Sequence, residues 1–174
     1  MTFTCFQSSR FPDASKQKGS ENSNRHHFFL ARKDSYGQCS YIRLINQCNQ
    51  IHSSLAMAKS RVVPLKPVTI TRFELTAVLV SVKISAVLRK ELEYGQITEV
   101  FWTGSKVVIG YISNDALRFH TFVANGVQQS RDCMPPDQWK YVEKELNPAD
   151  DASCGLTVQN LVDSSCWWNG PDFL

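Results

Sequence analysis

Chemically capable side chains fall at three places in this sequence. TRFELTA carries Glu74 three residues after Thr71, NPADDASCG carries the adjacent pair Asp150 and Asp151, and residues 103–105 (TGS) separate a β-prone run from a helical one. On spacing alone each acid has a structural use. Thr71-x-x-Glu74 has capping-box spacing. Asp150 and Asp151 fall in the first turn of a helix that Pro148 opens after an Asn147 cap, where negative charge is favoured. The turn has no such use. Val100, Phe101 and Trp102 are bulky and predict a short buried strand, while Val107, Val108, Tyr111 and Ile112 recur at helical spacing. A strand–turn–helix unit puts its turn at the carboxyl end of the strand, where α/β folds place their chemistry. The residue at the centre of that turn is Gly104, which brings no side chain to it.

The soft ligands are dispersed. Cys5, Cys39, Cys48, Cys133, Cys154 and Cys166 include no C-x-x-C pair, and the four histidines complete no zinc spacing. His26 and His27 are neighbours, so on a strand they face opposite sides and do not chelate one metal. Free thiols are the expectation.

The elements that must position these residues follow from periodicity. Residues 1–25 are polar beyond Phe11 and predict a disordered segment. HHFFLAR (26–32) predicts a first strand, Tyr36-Gly37 a turn, residues 38–46 a second strand, residues 46–50 another turn, and residues 51–63 a third strand. Pro64 and Pro67 force an extended connector. Residues 69–93 form the longest helical pattern, apolar around most of its circumference and so largely buried. The strand before Gly104 and its helix come next. Residues 119–132 predict another helix, Pro135-Pro136 a break, residues 139–142 a fifth strand, and Pro148 a last helical turn. The implied architecture is α/β: a three-stranded antiparallel meander plus two further strands in a mixed five-stranded sheet, with helices on both faces.

Length and charge narrow the class. The 174 residues suit one domain, and no apolar run is long enough for a membrane span. The N-terminus has no signal-peptide pattern, so the sequence predicts an intracellular chain, cytoplasmic or nuclear. Residues 1–74 hold eleven Lys/Arg against four Asp/Glu, and the remainder holds eight against twelve. A basic half can hold phosphate backbones.

FWTGSKVVIGYI resembles the FWTDSKVVLGYI segment of the RNase H-type domain in BEL/Pao retrotransposon polyproteins. The resemblance continues at MAKSRVVPLKPVTITRFELTA, RFHTFVANGVQQ, QWKYVEKELNPADDASCGL and WWNGPDFL, in colinear order over residues 26–174. It implies an RNase H-like domain that hydrolyses RNA in RNA–DNA hybrids with two Mg²⁺ ions held by four carboxylates. Glu74 matches the acid on the long helix and Asp150 the acid at the start of the last helix, making both candidate catalytic residues and metal ligands. Gly104 stands where the family has its third acid. For the first-strand acid the family pattern is F-x-D-A-S six residues before Tyr-Gly, and two placements stay open. The ungapped register, preferred here, puts Leu30 at the acid position and Arg32 at the serine. FPDASKQ offers the literal motif at Asp13. On the preferred register two of four carboxylates are absent, and the resemblance implies a retrotransposon-derived domain that has lost nuclease activity. The alternatives are a weak ribonuclease using Asp13, Glu74 and Asp150, or a non-enzymatic module that binds nucleic acid or protein.

Two arginines of the family are also replaced, by Gly126 in ANGV and by Cys154 in ASCG. Lys59, Arg61, Lys66 and Lys106 are the candidate contacts to a hybrid backbone. Trp167 and Trp168 are candidates either for stacking on bases or for anchoring the tail.

Overall fold

A computed structural model describes residues 2–6, 23–46, 48–62, 69–92, 97–114 and 121–174. A first strand, β1 (Thr2–Phe6), precedes the meander of β2 (Asn24–Ala31), β3 (Ser35–Ile45) and β4 (Ile51–Val62). Helix α1 (Ile70–Glu91) leads to β5 (Thr98–Thr103), α2 (Lys106–Ser113) and α3 (Thr121–Cys133). The chain closes with β6 (Trp139–Tyr141), α4 (Pro148–Cys154), α5 (Val158–Asp163) and α6 (Ser165–Asn169).

The sheet order is β1-β4-β3-β2-β5-β6. The meander pairs antiparallel, while β5 lies parallel to β2 and β6 parallel to β5. All five expected strands are therefore present in the expected mixed sheet, and β1 adds an antiparallel edge strand to β4. That strand corrects part of the disordered expectation for residues 1–25: Thr2–Phe6 alternates β-prone residues and finds the free edge of β4. Residues 7–22 lie outside the described set.

Strand alternation divides the core between two layers. Phe28 packs with Cys39, Tyr41, Leu55, Val142, Ala149 and Trp167, under α4 and α6. Its neighbour Phe29 packs with Ala77, Val78, Phe101, Ile112 and Trp139, under α1 and α2. Both phenylalanines are essentially inaccessible to solvent, and full burial of such a side chain stabilises by roughly 1.5–3 kcal/mol.

Two local expectations are corrected. The first turn of the meander is made at Arg32–Ser35, where Arg32 N–H donates to the Ser35 carbonyl, so Tyr36 and Gly37 belong to β3 instead of forming the turn. Gly37 is needed there for a close approach: a Cβ on it would stand 2.4 Å from the Ala149 carbonyl oxygen, so α4 rests directly on the backbone of β3. The N-cap of α1 is Thr69, without a side-chain cap bond, so the Thr71–Glu74 capping box does not form. At α4 the expectation holds, with the Asn147 side chain accepting from Ala149 N–H and Pro148 at the first helical position.

Candidate active site

The strand–turn–helix unit delivers Gly104 to the carboxyl end of β5. Ser105 caps α2, its hydroxyl oxygen accepting from Val108 N–H at 3.3 Å. Because β5 runs parallel to β2 with Thr103 opposite Phe29, the next residues along, Gly104 and Leu30, come together. A Cβ built on Gly104 would lie 3.1 Å from Leu30 Cδ1. Leu30 also packs against the layer that contains Val142, Ala149 and Ala152. Asn147 ties this end of β2 to the start of α4, its Nδ2 donating to the Phe29 carbonyl at 3.2 Å. One sheet end thus gathers the four positions singled out in the sequence: Leu30 on β2, Gly104 after β5, Glu74 on α1 and Asp150 on α4.

The two acids present have different surroundings. Glu74 is half-buried, and burial pushes its carboxyl up, partly offset by a side-chain hydrogen bond with Ser105. Freed from a capping box, its carboxylate reaches the turn beside Gly104. Asp150 is ion-paired twice, with Arg32 Nε 3.2 Å from Oδ1 and Lys144 Nζ 3.8 Å from Oδ2. Asp151 is pushed up by burial and by the Asp150 charge next to it. Arg32 and Lys144 are the residues that sequence reasoning missed. Arg32 was visible as a replacement at the family's serine, but its pairing with a residue 118 positions away has no local signal.

The other candidates are spread. Lys59 and Arg61 lie two apart on β4 and so share a face. Lys59 is opposite Gln38 on β3, Gln38 is opposite Phe29 on β2, and Phe29 is opposite Thr103 on β5. The four form one row across the sheet, about 14 Å long at the usual strand spacing, ending beside Gly104. Lys106 opens α2 with its ammonium 4.9 Å from the centre of the Tyr141 ring. Gly126 is buried in α3, where a Cβ would be 3.9 Å from Leu75 Cβ. Cys154 is exposed at the end of α4, and its thiol is free, as are those of Cys39, Cys48, Cys133 and Cys166. Asp13 and Lys66 lie outside the described residues. Trp167 is buried, its carbonyl accepting from the Tyr41 hydroxyl at 3.0 Å, so it anchors the tail and has no free face for a base.

A meander, a crossover helix, two parallel strands and helices on both faces define an RNase H-like fold. The N-terminal RNase H domain of a Mycobacterium tuberculosis protein, solved as a maltose-binding-protein fusion, superposes with a TM-score of 0.50 at 12% identity, over 76% of this chain and 90% of its own. RNase H1 of Halobacterium salinarum NRC-1 gives 0.43 at 12% identity, over 82% and 98%. LC11-RNase H1 from compost, solved with an RNA/DNA hybrid, gives 0.47 at 12% identity, over 76% and 94%. At this identity the likeness concerns the fold. No curated protein matches the sequence. Residues 3–105 match the family described as the Pao retrotransposon-like RNaseH-like domain, and the chain belongs to that family.

The family implies divalent metal, so the donors must be tested against it. Among the described residues no three His, Cys, Asp or Glu side chains are grouped to hold an ion. On the ungapped register a leucine and a glycine meet at two of the acid positions, and Asp150 is ion-paired with Arg32 and Lys144. On that register the described donors do not fit a two-magnesium centre.

Proposed function

We propose that this chain is a retrotransposon-derived RNase H-like domain that does not cleave RNA–DNA hybrids and keeps a cationic surface for their backbones. One observation supports the reading: Leu30 and Gly104, which the ungapped register sets at two of the family's acid positions, meet at one end of the sheet, and Arg32 pairs there with Asp150. Two-metal hydrolysis needs carboxylates to fix the ions and leave room for the attacking water. An internal guanidinium supplies positive charge but neither activates a water nor exchanges ligands.

Backbone contact makes smaller demands. Lys59 and Arg61 on β4 and Lys106 at the head of α2 are the cations available for it. Each neutralised phosphate makes affinity steeper in salt. Such contacts position a nucleic acid and do not read its sequence.

The test is a labelled RNA–DNA hybrid incubated with Mg²⁺ and then Mn²⁺, beside a Glu74→Gln control, with fluorescence anisotropy across a salt series. Salt-dependent binding without cleavage is expected, with a shallower salt slope in a Lys59→Ala/Arg61→Ala/Lys106→Ala variant. Cleavage that disappears in Glu74→Gln would overturn the reading in favour of a nuclease that recruits Asp13 of the literal FPDAS motif. Absence of binding at low salt would leave a silent scaffold without a hybrid surface.

A further inference from the structure

The two edges of the sheet are built differently. At one edge β6 has three residues, Trp139–Tyr141, with Lys140 at its centre and Pro135-Pro136 just before it. A very short strand, a lysine and nearby prolines are the usual guards against pairing with another chain. At the other edge lies β1, Thr2–Phe6, with the sequence TFTCF. It has no charge and no proline, and its pairing with β4 runs unbroken from Thr2 opposite Arg61 to Phe6 opposite Met57. Among the described residues nothing pairs with its outer side. An uncharged, β-prone strand thus forms an unguarded edge of backbone donors and acceptors.

The strand is also its own complement. Antiparallel pairing about Thr4 sets Thr4 opposite Thr4, Phe3 opposite Cys5 and Thr2 opposite Phe6 of a second copy. No like charges oppose one another in that register, and a Thr–Thr pair is favourable across strands. A two-fold axis normal to the sheet makes the pairing isologous, and because the β6 edges stay guarded the assembly closes at two copies. Lys59 lies opposite Thr4 on β4, so its backbone stands three strand intervals, about 14 Å, from its counterpart. That exceeds the Debye length of ~8 Å at physiological ionic strength, so the basic residues of β4 do not oppose the pairing strongly.

We propose that two copies of this chain join through β1, antiparallel, into one continuous sheet. The edge offers backbone groups and no charge, which suits a second identical strand better than a charged segment. The pairing uses no residue of the Leu30–Gly104 end, so it does not depend on the hybrid-binding reading.

Sedimentation equilibrium of the nuclease-treated full chain over a concentration series tests it. A reversible monomer–dimer equilibrium is expected, unchanged or strengthened by salt, the opposite of the sign for nucleic-acid binding. Thr4→Glu places a carboxylate opposite Lys59 within its own chain and opposite a second carboxylate across the two-fold, so β1 is kept while the dimer weakens tenfold or more. Thr4→Lys weakens it as well, and an equimolar mixture of the two variants recovers association as a mixed dimer. A chain that is monomeric at every concentration overturns the proposal. So does a dimer that Thr4→Glu leaves unchanged, which would lie on another surface, and so does a mixture of folded variants that stays monomeric. If circular dichroism shows that Thr4→Lys does not fold, Thr4→Glu alone decides. A monomer that instead binds an alternating valine–glutamate peptide would assign the edge to an acidic strand of another protein and sink the second copy.

Discussion

Leu30 and Gly104 are coupled, because Leu30 crowds the space that a side chain at position 104 would need. A Cβ on Gly104 already presses on Leu30 Cδ1 at 3.1 Å, and Asp150 is drawn into its pair with Arg32. Restoring one acid therefore does not rebuild a metal site. Gly104→Asp alone should show no saturable Mn²⁺ binding by calorimetry. The combination Leu30→Asp/Arg32→Ser/Gly104→Asp frees Asp150, faces Glu74 with two new carboxylates, and should bind Mn²⁺ at least tenfold more tightly, about 1.4 kcal/mol or more. Equal affinity in the single and combined variants would show that Leu30 and Arg32 do not obstruct the site. At this scale Gly104 stood out in the sequence because FWT and SKVV flank it, while the first-strand acid left two placements, Leu30 and Asp13, and Asp13 lies outside the described residues. The cations on Asp150 were not legible, because Arg32 and Lys144 reach it only once the turn after β2 and the start of α4 are packed together.

The elements are set by short-range signals wherever these are unopposed. The alternating runs of the meander, the Asn147-Pro148 start of α4 and the strand–turn–helix around Gly104 all form as their sequences indicate. The misread points are those where tertiary contact overrides a local rule. Tyr36-Gly37 looks like a turn, yet Gly37 is a strand residue kept small by the helix above it, and Glu74 leaves its capping spacing for Ser105. Two glycines then have opposite expected effects. Gly37→Ala drives a methyl into the Ala149 carbonyl, 2.4 Å away, and must push α4 off β3. The expected loss is on the order of 3 kcal/mol in urea unfolding. Gly110→Ala, in the exposed face of α2 with nothing within 4 Å of the new methyl, should gain about 0.5–1 kcal/mol through helix propensity. A tolerated Gly37→Ala would mean that α4 does not rest on β3 as described.

The whole molecule stores its pH sensitivity in polar groups buried within the sheet. His26 is 7% exposed, stacks near Trp102 and accepts a hydrogen bond on Nδ1 from Trp102 Nε1 at 3.0 Å. Burial, with the nearby His27 and Arg43, lowers its pKa from 6.5 to about 4, so the folded chain keeps it neutral while the unfolded chain takes a proton. Protons then favour unfolding, and stability must fall as pH drops from about 6.5 towards 4. His27, also pushed down by burial, acts in the same direction. Glu99 follows lower in the scale. Burial would raise its carboxyl, but the nearby His27 and the hydrogen bonds from Ser85 and Arg89 hold it at about 2, so its contribution is present above 4.5 and lost as pH falls towards 2. Glu74 and Asp151, pushed up by burial, act in the opposite sense and soften the acid limb. Chemical denaturation at pH 7 and pH 4.5 should differ by about 2–3 kcal/mol from His26 alone, at 1.36 kcal/mol per pH interval of one. His26→Asn can keep an acceptor for Trp102 without titrating, and its stability should vary less steeply between these pH values. An unchanged slope in His26→Asn would move the acid sensitivity to His27 and its ion-paired neighbours at the other side of the sheet.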